Sequence, residues 1–123
     1  MKFLITLLGL LAVMLAFADA KPKYSAADRA YSCRTQHHGF YKAITKFCNN
    51  DGIVISSGYG DQGKNNNGHL VQITGNCFPA QWVPKGICQW QFYTMCATSN
   101  KGGAKRKRFG HGKCQHWSLF KFQ

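Results

Sequence analysis

The sequence predicts a small α+β domain stapled by disulfides, with one main helix packed on an antiparallel sheet of about four strands. Three observations predict it. The chain carries six cysteines, an even number. One stretch has the apolar spacing of an amphipathic helix, and several short β-branched or alternating runs are separated by segments rich in Gly and Asn. At 123 residues there is room for a single small core and no second domain.

The N-terminus reads as a processing signal. Lys2 precedes an apolar run from Phe3 to Phe17, and Ala18-Asp19-Ala20 forms a small-x-small cleavage pattern. The run of about 15 residues is shorter than the ~20 that a membrane-spanning helix needs. The expected organisation is therefore a signal peptide at 1–20 and a single mature domain at 21–123, exported from the cell. Export favours disulfides, so Cys33, Cys48, Cys77, Cys88, Cys96 and Cys114 are expected to form three bridges.

A first helix is expected to start at Ser25, because Ser25 and Asp28 stand at capping-box spacing, and to end near Cys33. Phe40, Tyr41, Ala43, Ile44, Phe47 and Cys48 fall on one helical face, and Asn49-Asn50-Asp51-Gly52 stops that second, best-defined helix. Ile53-Val54-Ile55-Ser56 and His69 to Thr74 read as strands, with Gly58 to Gly68 as a loop between them. In Ile87 to Cys96, Cys88, Trp90 and Phe92 alternate with Gln89, Gln91 and Tyr93, which predicts a half-buried strand that puts Trp90 and Phe92 in the core. A last strand is expected from Cys114 to Phe122. If Cys88 and Cys96 share a strand they stand ~26 Å apart, against the ~7 Å that a disulfide allows, so they do not pair. Cys33 and Cys48 can meet if the chain turns at Gly39; the other connectivities stay open.

Charge dominates the chemistry. The chain has 16 Lys and Arg against 4 Asp and no Glu, a net charge of +12 that survives removal of Lys2 and Asp19 with the signal. The cations concentrate in a segment at 101–113 containing Lys101, Lys105, Arg106, Lys107, Arg108 and Lys113. Mutual repulsion predicts an exposed loop there. Such a loop binds phosphates of nucleic acid or an anionic membrane surface, serves as a nuclear-import address, offers dibasic pairs to a processing protease, or is merely solvated. Basic residues interleaved with aromatics can also stack the bases of a single strand.

Other chemistries are poorly supplied. Sugar hydrolysis by the usual scheme needs two carboxyl groups, and the mature chain has Asp28, Asp51 and Asp61. His37, His38, His69, His111 and His116 are raw material for a His-pair ribonuclease, but their spacing brings no two together. A zinc site from His111, Cys114 and His116 competes with disulfide formation. No catalytic residue, metal or cofactor is assigned.

Tyr31-Ser32-Cys33 lies shortly after the cleavage point, with Cys114 near the end of the chain. In this layout the chain resembles the small secreted fungal effectors that carry a Tyr/Phe/Trp-x-Cys motif behind the signal peptide. That resemblance implies a fold similar to the guanyl-type ribonucleases, without their catalytic residues, and action in a host by binding. In charge, cysteine content and secretion the chain also resembles basic antifungal or killer-type toxins. The leading expectation is a secreted, monomeric, non-enzymatic effector that binds a host protein or an anionic ligand through the basic segment, with entry into the host cell or its nucleus as a destination. The alternatives are a cationic toxin acting on anionic cell surfaces and a small His-dependent ribonuclease.

Overall fold

The computed structural model describes residues 25–99 and 104–122. The expected signal peptide at 1–20 and Lys101 lie outside these residues. In chain order the described elements are α1 (Ala26–Gln36), α2 (His38–Phe47), β1 (Ile53–Ile55), α3 (Gly58–Gln62), β2 (Lys64–Asn66), β3 (His69–Gly75), β4 (Gln81–Val83), α4 (Lys85–Ala97), β5 (Lys105–Phe109), a 3₁₀ turn His111–Lys113, and β6 (Gln115–Lys121). They form a four-stranded sheet in the order β2-β3-β6-β5 and a two-stranded ribbon of β1 and β4, all pairs antiparallel. The α+β class and the disulfide staples are as expected.

The Ser25 cap forms as the spacing predicts. The Asp28 amide donates to Ser25 Oγ at 3.2 Å and the Ser25 amide to Asp28 Oδ2 at 3.0 Å, closing a capping box. These hydrogen bonds hold the Asp28 carboxyl below its ordinary range. On α2 the expected stripe is the buried one: Phe40, Ala43, Ile44 and Phe47 face the core. The helix stops where Asn50 Oδ1 accepts the Gly52 amide at 3.0 Å.

The core lies between the helices and the inner face of the large sheet. Val71 and Ile73 of β3 and Trp117 and Leu119 of β6 are buried against Phe40, Phe47 and Phe92. Phe92 is the hub, edge-on to Phe47 at 5.8 Å and tilted against Trp117 at 4.6 Å between ring centroids.

Three expectations are corrected. The stretch Ile87 to Cys96 is not a strand but the centre of α4, and its buried residues Cys88, Phe92, Met95 and Cys96 follow the helical intervals of four, seven and eight. The alternation of Trp90 with Phe92 coincided with part of that pattern; Phe92 is buried and Trp90 is half-buried. Second, Gly58 to Gly68 is not one loop. It holds α3, β2 and the hairpin turn Asn67-Gly68, whose central residues both have positive φ (50° and 86°), the conformation that an Asn-Gly pair favours. Third, the cations at 105–108 form a strand.

The disulfides are Cys33–Cys96, Cys48–Cys88 and Cys77–Cys114. The Cys33–Cys48 pairing opened by a turn at Gly39 does not occur: each half goes instead to α4, so α1 and α2 are both stapled to that helix. Cys88 and Cys96 do not pair with each other, as expected, although the reason is a helix, across which eight residues rise ~12 Å.

Tyr93 links α4 to α2 through a 2.8 Å hydrogen bond between its hydroxyl and Thr45 Oγ1. Burial pushes the Tyr93 phenol up, the Thr45 bond offsetting part of the rise, and burial raises the Tyr59 phenol as well. Both folded values lie above the unfolded value of about 10, so above that pH the unfolded chain loses these protons first. Their stabilisation is complete below pH 10 and fades as pH climbs through the folded values. Urea midpoints are therefore expected to drop once pH passes about 10, and Tyr93→Phe to shallow that drop. An unchanged alkaline slope in the variant would show that Tyr93 does not contribute.

Candidate anion-binding face

The large sheet has one face against the helices and one toward solvent. Alternation along β6 sends Gln115, Trp117 and Leu119 inward and His116, Ser118 and Phe120 outward, His116 and Phe120 exposed and Ser118 buried at 8 % exposure. The register then decides what stands beside each outward residue. Arg106 of β5 is opposite Ser118, which is opposite Gln72 of β3; Arg108 is opposite His116, which is opposite Thr74. These two rows line a groove of about 500 Å³ on the outer face. One row further along, Leu70 pairs with the exposed Phe120, whose ring meets Phe122 edge-on at 5.0 Å.

A run of four cations forms a strand here because the pleat separates them. Arg106 and Arg108 lie on the outer face, ~6.8 Å apart, where two charges in water repel by about 0.6 kcal/mol. Pairing of the whole strand with β6 outweighs that. On the other side of the pleat, Lys105 Nζ donates to Thr98 Oγ1 at 2.8 Å and to Thr98 O at 3.4 Å, placing its charge on the carbonyl end of α4. Lys107 Nζ lies 5.4 Å from the centroid of the Phe109 ring.

A polar network positions the strand. Trp117 Nε1 donates to Gln115 Oε1 and Gln115 Nε2 to Gln81 Oε1, both at 2.9 Å, and Gln81 Nε2 reaches His111 O at 2.9 Å. These bonds pin the β5–β6 turn to β4, and the Cys77–Cys114 bridge closes the same corner. Gly110 permits it: its φ is 85°, and a Cβ there would strike Gln81 Oε1.

Of the cations expected to bind, Arg106, Lys107 and Arg108 border the groove; Lys105 is committed to α4, and Lys113 stands exposed in the turn. The sequence does not show Gln72, Thr74, Ser118 and His116 as neighbours of the arginines, since a residue on β3 is placed beside β5 only through β6. The histidines stay dispersed. His37 faces Ser99 Oγ at 3.4 Å, His38 stacks on Tyr41, and His69 sits edge-on to Phe40 with Nδ1 3.0 Å from Asn66 O. His116 alone of the five lines the groove, and no Asp does. Cys114, considered as a zinc ligand, is bonded to Cys77, and among the described residues no three His, Cys, Asp or Glu side chains gather into a metal-holding group. No helix among them is long and apolar enough to cross a membrane. Compared with known proteins, the chain matches no family model, no curated protein and no solved structure.

Proposed function

We propose that this is an exported, disulfide-stapled effector-type protein that acts by binding, with the outer face of its large sheet as the contact surface and a phosphate-rich polyanion of the host as the ligand. The observation that supports this reading is the pairing of Arg106 and Arg108 with Ser118, Gln72, His116 and Thr74 in a groove that no carboxylate lines. Guanidinium groups take phosphate oxygens bidentately, and neutral hydroxyl and amide groups beside them complete a phosphate's hydrogen bonds.

Charged edge strands also guard sheets against pairing with one another, and β5 is an edge. Edge protection accounts for cations on β5. It does not account for an outer face whose neighbouring strands supply hydrogen-bonding groups and no acid. A single His on that face leaves the His-pair ribonuclease scheme without its second partner.

An abasic oligonucleotide, which presents phosphates and no bases, tests the reading. With Arg106, Lys107 and Arg108 engaged, the log of its affinity is expected to fall against log salt with a slope of about −2, at ~0.7 per contact. That corresponds to roughly twentyfold weaker binding at 200 mM than at 50 mM salt. No binding at 50 mM, or binding indifferent to salt, would sink the proposal.

A further inference from the structure

We propose that a second cleft, between α4 and β5, takes the ring of a nucleotide base whose phosphate is held at the neighbouring groove. This inference rests on the polyanion reading and narrows the ligand to single-stranded nucleic acid.

The cleft has a volume of about 180 Å³, with Trp90, Met95 and Phe109 as apolar walls. An apolar cavity of ~150 Å³ holds benzene, so this space suits one six-membered ring with its substituents. Two residues that line it, Gln91 and Thr94, each carry an unusual atom. Gln91 Oε1 and Thr94 Oγ1 are both shut off from solvent and hydrogen-bond to nothing. Buried polar atoms are seldom left so. Other helical threonines of this chain do find partners: Thr98 Oγ1 donates to Thr94 O at 2.7 Å and Thr45 Oγ1 to Tyr41 O at 2.8 Å. Rotation of the Thr94 or Gln91 side chain turns its orphan oxygen toward the cleft, where the N–H and C=O edge of a pyrimidine satisfies both.

Lys107 decides between a nucleotide and an uncharged ring. It lines the cleft and the groove alike, because β5 is the partition between them. A base entering beside Lys107 therefore carries its phosphate to the row of Arg106 and Arg108. The base must be unpaired to enter, which selects a single strand over a duplex.

The test compares a short uridylate oligomer with an abasic oligomer of equal length at low salt. The uridylate oligomer is expected to bind at least tenfold tighter. Thr94→Val combined with Gln91→Met should erase that advantage while leaving abasic binding and the melting temperature unchanged, since both changes replace unsatisfied polar atoms by apolar ones of similar size. Equal binding of the two oligomers to the wild-type protein overturns the base cleft and leaves the polyanion reading standing, as does a base advantage that survives in the variant. Failure of both oligomers to bind removes the reading on which the inference rests. Amide and indole N–H shifts of the wild-type protein with uridine monophosphate give a check independent of the variant's folding: signals of Trp90 and Thr94 should move and that of Trp82 should not, and the reverse pattern counts against the cleft.

Discussion

Reversing the two outward arginines of β5, Arg106→Glu with Arg108→Glu, is expected to weaken polyanion binding about a thousandfold at low salt, on the basis of roughly 1.5–3 kcal/mol for each charged hydrogen-bonded contact. Both side chains are exposed and face water on the outer side of the sheet, so nothing in the core depends on them. Their replacement also relieves repulsion within the strand. The melting temperature is accordingly expected to shift little, within about 0.5 kcal/mol of stability. The necessary control carries the same change of net charge elsewhere: Lys42→Glu with Lys46→Glu, both exposed on α2. If the interaction is mere attraction between a basic protein and any anion, the two double variants will lose affinity equally. If the groove is the contact surface, the α2 variant will lose less than tenfold, through long-range electrostatics alone. Equal losses would remove the groove from the account.

The second large effect concerns stability. Cys33→Ser with Cys96→Ser opens a bridge that spans 63 residues and joins α1 to α4. Closing a loop of that length is worth about 4 kcal/mol in the chain-entropy account, and the two hydroxyls introduced would be buried at a site where both cysteines are fully covered. Against a total stability of roughly 5–15 kcal/mol for a domain of this size, the variant is expected to lose most of its cooperative unfolding transition or to melt below body temperature. Urea unfolding followed by tryptophan fluorescence measures it, because Trp117 is buried in the same core. A variant as stable as the parent would mean that α1 is held by side-chain packing on α4 and that the bridge adds nothing to it.

Some elements are legible in the residues alone because their causes are local. The Ser25–Asp28 box spans three residues, and the stripe from Phe40 to Phe47 needs only the pitch of a helix to put its members on one side. The strand at His69 to Gly75 carries Val71 and Ile73 on its inward face. The helix α4 shows how such reading fails. Its sequence holds two periods at once, an alternation of Cys88, Trp90 and Phe92 and a helical set of Cys88, Phe92, Met95 and Cys96; the longer set, extending over more residues, marks the true element. Asn67-Gly68 was equally informative about the β2–β3 hairpin, but the surrounding polar residues, Lys64, Asn65 and Asn66, obscured the strand that leads into it.

The basic segment marks the boundary between these two kinds of information. Its composition announces exposure and a positive surface, since four adjacent cations cannot all be buried. Composition is silent on direction. Arg106 and Arg108 share a face with Gln72 and Thr74 because β6 lies between β5 and β3, and that order was settled by chain closure over long separations, as were the bridges spanning 37 to 63 residues. Capping and periodicity act within a turn or a strand, so a short segment displays them unaided. Which cysteine meets which, and which hydroxyl stands beside which guanidinium, depends on packing the whole core at once, and no short segment carries that energy.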